Sequence, residues 1–172
     1  MIVYDTRTRP AGRYTCTVRA TIVCAILAAV ATGAGEDSLA RDMLAAHNAV
    51  RATVKVPPLV WSDNLARVAQ EWANTLLEKK QFVHRPKSKL GENLYQIEGA
   101  KSTPKEVVDR WASESTNFNY KSNKCHGVCG HYTQIIWSGT KEAGCAVARG
   151  GNREVWVCEY NPPGNYVGQR PY

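Results

Sequence analysis

Residues 130–137 read Gly-His-Tyr-Thr-Gln-Ile-Ile-Trp, and the pair Gly144-Cys145 follows shortly after them. This segment combines an ionisable ring, hydrogen-bonding side chains, an apolar run and a cysteine. Two further cysteines, Cys125 and Cys129, precede it. So many chemically distinctive side chains rarely fall so close together, which makes the segment the first place to look for a site.

The first 35 residues differ in character from the rest of the 172-residue chain. Four arginines lead into an apolar run over residues 20–31, and the small residues 32–35 precede the acidic pair Glu36-Asp37. This order is typical of a secretory signal peptide, and the run is shorter than the roughly 20 residues of a membrane span. We therefore predict a signal peptide over residues 1–35 and one domain over residues 36–172, with an uncleaved anchor as the alternative.

Removal of that segment takes away four arginines and one aspartate, so the formal net charge falls from +7 to about +4. The densest basic cluster lies between Lys79 and Lys89. It indicates a solvated loop, with a weak attraction for acidic polysaccharides or lipid headgroups as the alternative. The chain carries none of the sequence modules of nucleic-acid-binding proteins, so nucleic acid is not an expected partner.

The predicted mature chain retains four of the six cysteines, which are Cys125, Cys129, Cys145 and Cys158. Four cysteines in a secreted domain imply two disulfides, in any of three connectivities. A zinc site at Cys125 and Cys129 is the competing interpretation. An oxidising compartment favours disulfides, and no second close thiol or histidine pair follows at zinc-finger spacing.

Three segments have the apolar period of amphipathic helices. Ser38 can cap the first, which Val56-Pro57-Pro58 ends, and Ser62-Asp63 opens the second. The third begins at Thr103-Pro104-Lys105-Glu106, a capping box with proline at the first helical position. Their expected core positions are Leu39, Met43, Ala46, Val50 and Val54, then Leu65, Val68, Ala69, Trp72 and Leu76, then Val107, Val108 and Trp111.

The C-terminal half has the alternation of strands. Residues 145–148 and 154–160 read as two antiparallel strands joined by a turn at Gly150-Gly151-Asn152. Residues 82–95 read as a basic loop with short extended pieces. Helices followed by antiparallel strands predict an α+β domain.

The ionisable residues alone do not define a reaction. His84, His126 and His131 fall in predicted loops, and no serine lies beside a convincing base. Glu92 and Glu114 stand out only by their context, and the spacing does not link them to the histidines.

The segment at residues 130–137, together with Cys-Glu-Tyr-Asn-Pro-Pro-Gly-Asn-Tyr at residues 158–166, resembles the signature segments of the CAP superfamily. This superfamily joins cysteine-rich secretory proteins, insect antigen 5 and plant pathogenesis-related class 1 proteins. The ending Gly-Gln-Arg-Pro-Tyr at residues 168–172 resembles the plant branch, and the resemblance covers residues 38–172. It implies a three-layer α-β-α sandwich and a secreted, monomeric defence protein without catalytic activity. Its expected location is extracellular, in the cell wall space, with the vacuole as an alternative.

The resemblance also implies a set of cleft residues. His84, Glu92, Glu114 and His131 match the two-histidine, two-glutamate tetrad of the family. Such a set can bind Zn²⁺ or another divalent transition ion, although no cofactor is required. A hydrogen-bonded polar cluster is the alternative structure, and a metal-dependent hydrolase is the alternative function.

The resemblance further implies a disulfide pairing. Plant relatives usually have six mature cysteines, but this chain has Lys80 or Gln81 and Gly150 at two of those positions, which pair with each other in the family. The implied bridges are Cys125–Cys129 and Cys145–Cys158. One missing bridge predicts a protein less stable by about 2–4 kcal/mol than such relatives.

A loop before the paired cysteines binds sterol in the family, and residues 117–123 take its place here. Phe118 and Tyr120 are the expected binding residues, on an exposed loop with a polar rim. The alternative is that both rings cover the end of the third helix. The expected ligand is a sterol or another lipid.

Residues 162–172 resemble a peptide that plant relatives release as a defence signal. The segment is rich in proline and glycine, so it can be cut after Asn161 and recognised by a receptor. The alternative is a tail packed across the sheet, with Tyr166 and Tyr172 as anchors.

Overall fold

A computed structural model describes residues 38–172, and the predicted signal peptide, residues 1–35, lies outside the described residues. Within the described part, no helix is both long enough and apolar enough to span a bilayer. The helices and strands below are numbered in chain order.

The first helix, α1, occupies residues 38–53. Ser38 is the first described residue and is helical, and the residues before it lie outside the described part, so the predicted cap stays a prediction. The expected apolar face packs on the core, but Met43 is its one fully buried member. His47 and Arg51 follow Met43 at four-residue steps and are equally buried. The most buried face of α1 is therefore partly polar, which requires the internal hydrogen bonds described below.

The second helix, α2, spans Asp63–Glu78 and buries Leu65, Ala69, Ala73 and Leu76. Ser62 occupies the N-cap position as predicted, but its side chain makes no capping hydrogen bond. The helix lies very close to the sheet at Gly144, where a Cβ atom would overlap the backbone nitrogen of Ala66. Any larger residue at position 144 would push the helix away from the sheet.

The third helix, α3, spans Pro104–Ala112 and buries Val107, Val108 and Trp111. Its predicted capping box is confirmed. The backbone N–H of Thr103 donates to Oε2 of Glu106 at 2.7 Å, and the backbone N–H of Glu106 donates to Oγ1 of Thr103 at 3.3 Å. A 3₁₀ helix over Ser113–Asn117 continues from it. The short helix α4, Gly130–Ile135, contains the histidine of the opening segment.

The central sheet has four strands in the order β1-β5-β6-β2. They are β1 at Val60–Trp61, β2 at Gly91–Glu98, β5 at Glu142–Gly150 and β6 at Arg153–Asn161. The predicted hairpin is confirmed: β5 and β6 are antiparallel, and Gly151, at the turn between them, has a φ of +58°. Strand β1 runs parallel to β5. A second, two-stranded sheet joins β3 at Phe118–Asn119 to β4 at Lys124–Cys125.

Strand β2 corrects the prediction for residues 82–95. Instead of a loop with short extended pieces, Gly91–Glu98 forms an eight-residue strand antiparallel to β6. Its glycine, asparagine and glutamates gave it a weak local signal for a strand. Pairing with β6, about sixty residues further along the chain, supplies its backbone hydrogen bonds.

Two apolar clusters lie on the two faces of the sheet and confirm the α-β-α sandwich. On one face, α2 packs against alternate residues such as Val155 and Val157. On the other, α1, α3 and α4 pack around Trp156 and Tyr160. The alternation along β6 therefore separates the two layers of helices.

The four cysteines described by the structure form two disulfides. Cys125 is bonded to Cys129, and Cys145 to Cys158, which face each other across β5 and β6. This pairing matches the one implied by the resemblance. The competing zinc site at Cys125 and Cys129 is wrong, because both sulfurs are in a disulfide.

Candidate functional site

The first histidine of the tetrad pairs with a glutamate on β2. Nδ1 of His84 donates to Oε1 of Glu92 at 2.5 Å, and the same oxygen accepts the backbone N–H of Arg85 at 3.1 Å. The Glu92 side chain is buried, whereas that of His84 is 67% exposed. The hydrogen bond to Glu92 raises the pKa of His84 above its ordinary value. Glu92 thus orients one edge of the ring and leaves the other facing outward.

The second histidine makes the same kind of pair. Nδ1 of His131, at the start of α4, donates to Oε1 of Glu114 at 2.6 Å. Oε2 of Glu114 accepts the backbone N–H of His131 at 2.9 Å, so the carboxylate holds both the ring and its main chain. The indole of Trp111 stacks on the ring, with centroids 6.0 Å apart. His131 is therefore fixed in one orientation.

One residue links the pairs. Asn93, next to Glu92 on β2, donates from Nδ2 to the backbone carbonyl of His131 at 3.1 Å. The structure thus brings the four tetrad residues into two connected His–Glu pairs. It does not bring them into one tight set of ligand atoms. In residues 38–172, the one group of three or more histidine, cysteine or acidic side chains whose ligand atoms all lie within 4.8 Å of one another is His47, Cys145 and Cys158. The two sulfurs of that group form a disulfide, so it is not a metal site.

The chemistry of each pair suits a metal-binding histidine. A histidine that ligates a metal usually gives its other ring N–H to a carboxylate, which fixes the tautomer. Here Glu92 and Glu114 occupy the Nδ1 atoms of His84 and His131, so Nε2 is the nitrogen left for an ion. In this arrangement the glutamates orient the ligands and do not themselves coordinate.

A third carboxyl group, which the sequence did not indicate, lies beside the His84–Glu92 pair. Glu159 on β6 is opposite Glu92 in the ladder and is fully buried. Neither carboxyl oxygen has a hydrogen-bond partner among the described residues. Burial, and then the neighbouring Glu92 carboxylate, raise the pKa of Glu159 to about 8. Glu159 therefore retains its proton at neutral pH.

A buried polar network lies next to Trp111, the residue that stacks on His131. Nδ1 of His47 donates to the carbonyl of Met43 at 2.8 Å, so its Nε2 accepts the hydroxyl of Tyr160 at 2.8 Å. The ring lies 6.1 Å from that of Trp111, which in turn stacks on His131. Burial lowers the pKa of His47 to about 4, so the ring is neutral. The sequence placed His47 in a helix but gave no sign of this role.

Arg51 attaches α1 to the segment that follows α4. Its guanidinium is fully buried and donates to four backbone carbonyls. The acceptors are those of Pro57 at 2.7 Å, Ile135 at 2.7 Å, Trp137 at 2.9 Å and Thr140 at 3.2 Å. Burial lowers the pKa of Arg51 to about 10. These bonds position the C-terminal end of α4, the helix that carries His131.

The loop of residues 117–123, called the aromatic loop below, lies against α4 and the C-terminal tail. The ring of Phe118 is 6.3 Å from that of Tyr132, tilted by 59°. The ring of Tyr120 stacks on Tyr172 with centroids 4.4 Å apart and an angle of 14°. Tyr120 remains 39% exposed. The ring contacts of Phe118 and Tyr120 are thus with α4 and the tail.

The C-terminal tail, residues 162–172, lies against α4. The backbone N–H of Gly164 donates to Oε1 of Gln134 at 2.9 Å, and Asn165 accepts the hydroxyl of Thr133 at 2.7 Å. Of the two expected anchors, Tyr166 lies 6.0 Å from the ring of Trp137 and Tyr172 stacks on Tyr120. The tail therefore contacts both α4 and the aromatic loop.

Comparison with known proteins identifies similar chains. The model of the cysteine-rich secretory protein family, CAP, matches residues 44–160. Pathogenesis-related protein 1 of Arabidopsis thaliana is 38% identical over 152 residues, covering 88% of this chain and 93% of that protein. Pathogenesis-related protein 1A of Nicotiana tabacum is 41% identical over 135 residues, covering 77% and 80%. Among solved structures, venom allergen-like protein 4 of Schistosoma mansoni has a TM-score of 0.65 at 26% identity, covering 77% and 92%.

Proposed function

This chain belongs to the cysteine-rich secretory protein family, in its plant pathogenesis-related class 1 branch, and we propose that it is a secreted defence protein that binds a sterol. The proposed activity is binding without turnover. Sequestering sterol from the membrane of a pathogen would make the protein antimicrobial. It would act as a monomer outside the cell, after removal of residues 1–35.

The aromatic loop is the observation that supports this proposal. Tyr120 presents a ring that already accommodates a second flat ring, that of Tyr172, at stacking distance. Phe118 and Tyr132 extend the apolar surface next to it. Asn119 and Asn123, in the same loop, supply amide groups that can hydrogen-bond a sterol hydroxyl. A flat, mostly apolar ligand with one polar end fits this surface.

A binding measurement on residues 36–172 tests the proposal. We expect radiolabelled cholesterol to bind saturably near 1 μM, about −8 kcal/mol. Phe118→Ala should weaken binding at least tenfold, because it removes apolar surface and leaves the contacts of Tyr120 intact. The matched control is Tyr166→Ala, which removes a half-exposed ring elsewhere on the chain. Binding unchanged by Phe118→Ala would place the site elsewhere, and no binding by any variant would refute the function.

The paired histidines support a second proposal, a divalent metal in the cleft. His84 and His131 would hold Zn²⁺ or a similar ion through Nε2, with Glu92 and Glu114 fixing each ring. Such an ion could support a metal-dependent hydrolase, which is the alternative function. A chelator distinguishes the two: sterol binding should survive it, whereas turnover of an ester or peptide substrate would be lost.

We also propose that residues 162–172 are released as a defence peptide after a cut following Asn161. Asn161 is exposed at the end of β6, where a protease can reach it. The hydrogen bonds of Gly164 and Asn165 to α4 must then be lost before the peptide can leave and bind a receptor. Mass spectrometry of tissue fluid that found only intact chain would contradict release.

A further inference from the structure

The end of the C-terminal tail grips the aromatic loop at several points. We use the name tail clasp for residues 169–172. The hydroxyl of Tyr120 donates to the backbone carbonyl of Tyr172 at 2.5 Å, in addition to the stacking of the two rings. Nδ2 of Asn123 donates to the backbone carbonyl of Gln169 at 3.0 Å. The clasp and the loop are thus joined by both polar and aromatic contacts, although they lie about fifty residues apart in the chain.

Arg170 makes several contacts with the aromatic loop. Its guanidinium donates to the backbone carbonyls of Tyr120 and Lys121, the latter at 3.0 Å. The same group lies 5.2 Å from the centre of the Tyr120 ring, within the range of a cation–π contact. One side chain therefore holds the main chain of the loop and its exposed ring together.

The clasp has its own attachment to the domain. Pro171 is buried, and its carbonyl accepts the backbone N–H of Ser138 at 2.6 Å. Shortly before the clasp, Val167 is fully exposed, whereas Gly164 and Asn165 are hydrogen-bonded to α4. The last residues therefore form a short anchored segment after a solvent-exposed one, which allows the segment to detach without unfolding the sheet.

Tyr172 and Arg170 both lie against the ring on which a flat ligand would stack. A second flat molecule stacked on that face of Tyr120 would need the space that Tyr172 occupies at 4.4 Å. Ligand and tail cannot both hold this position. Tyr172 therefore occupies the position on the Tyr120 ring that the ligand would take.

We propose that the tail clasp and the flat apolar ligand compete for Tyr120, so that the ligand binds with full affinity only when residues 169–172 are displaced. This inference rests on the proposed sterol-binding function and adds its regulation. The affinity measured for the intact chain equals that of the open form multiplied by the fraction of molecules in which the clasp is open. Of the contacts that hold the clasp, the ring stack and the cation–π contact should each lower the affinity roughly three- to tenfold.

The test compares full-length mature chains, residues 36–172, with radiolabelled cholesterol as the probe. Arg170→Gln removes the cation and Tyr172→Ala removes the competing ring, while the matched control Val167→Ala changes an exposed side chain of the same tail. We expect both clasp variants to bind three- to tenfold more tightly than the wild type and the control to bind equally. Hydrogen exchange of residues 166–172 should also become faster when cholesterol is added to the wild type.

Other results would overturn the inference in distinguishable ways. Equal affinities for all four proteins would show that the clasp does not compete, with sterol binding itself unaffected. Weaker binding by Tyr172→Ala would show that Tyr172 is part of the ligand site and not its competitor. The absence of binding by every variant, including those with an open clasp, would refute the sterol-binding function and the competition together.

Discussion

Glu159 on β6 lies directly opposite Glu92 on the neighbouring strand β2, and both side chains are almost completely buried. Glu92 is partly compensated, because its Oε1 accepts from His84 and from the backbone of Arg85, whereas its Oε2 and both oxygens of Glu159 are buried without such donors. Two buried carboxylates side by side repel each other, so one of them must retain its proton. The hydrogen bonds of Glu92 assign the proton to Glu159.

The first prediction concerns this proton. The folded-state pKa of Glu159 is about 8, above its ordinary value of 4.5, so the folded chain binds more protons than the unfolded chain between these pH values. Stability contributed by this group is therefore full below pH 4.5 and is lost as the pH rises through 8, by on the order of 3–5 kcal/mol. Glu159→Gln should remove this dependence. Urea unfolding at pH 5, 7 and 8.5 measures it, and parallel pH curves for the two proteins would contradict the assignment.

The contribution of His47 to the free energy of unfolding should depend on pH in the opposite direction, with the loss at acidic pH. Its folded-state pKa of about 4 lies below its ordinary value of 6.5, because the buried ring is neutral. Its contribution is present above pH 6.5 and is lost as the pH falls through 4, by about 3 kcal/mol. His47→Gln should be less stable than the wild type at pH 7 but should lose less stability on acidification. Identical slopes between pH 6.5 and 4 would show that His47 does not titrate in this way.

The parts of the fold that the sequence predicted are those with local signals. The capping box at Thr103, the β5–β6 hairpin and the apolar period of α2 each depend on residues that are near one another in the chain. The tetrad residues were identified only through the resemblance to a known family, because their side chains meet through tertiary structure.

The parts that the sequence did not predict depend on distant pairings. Strand β2 acquires its hydrogen bonds from β6, and its own residues are poor strand formers. From the sequence, Glu159 has the pattern of an outward-facing residue of a strand. Its position beside Glu92 depends on the pairing of β2 with β6. The stack of Tyr120 on Tyr172 joins residues 52 positions apart, and no local pattern marks either residue as its partner.

Arg51 offers a direct test of how α4 is held in place. Arg51→Lys keeps the charge but cannot reproduce four hydrogen bonds to backbone carbonyls, because an ammonium group has three donors on a single nitrogen. Buried carbonyls such as those of Ile135 and Trp137 would lose their donor, at a cost of about 2–4 kcal/mol. The matched control is Arg41→Lys, at an exposed position of α1. Equal midpoints of urea unfolding for the two variants would contradict this role.

The two disulfides should differ in their contributions to stability. Cys145–Cys158 closes a loop of 13 residues within the core, and Cys125–Cys129 closes one of 4 residues near the surface, between an exposed and a buried cysteine. From loop length alone, the first stabilises the fold by about 3 kcal/mol and the second by about 2 kcal/mol. Pairwise replacement by alanine, followed by urea unfolding, should therefore cost more at Cys145 and Cys158. A larger loss at the surface bridge would show that loop closure does not determine the order.

Glu114 provides a test of the cleft histidines as metal ligands. Glu114→Gln leaves His131 in place but replaces the carboxylate that holds its Nδ1 and its backbone N–H. If His131 binds Zn²⁺ through Nε2, loss of this orientation should weaken zinc binding 10- to 100-fold, as measured by isothermal titration calorimetry. Glu78→Gln, an exposed change at the end of α2, is the matched control and should leave the affinity unchanged. Equal zinc affinities for the two variants would remove Glu114 from the metal site, and no zinc binding by the wild type would identify the tetrad as a hydrogen-bonded polar cluster that orders the cleft.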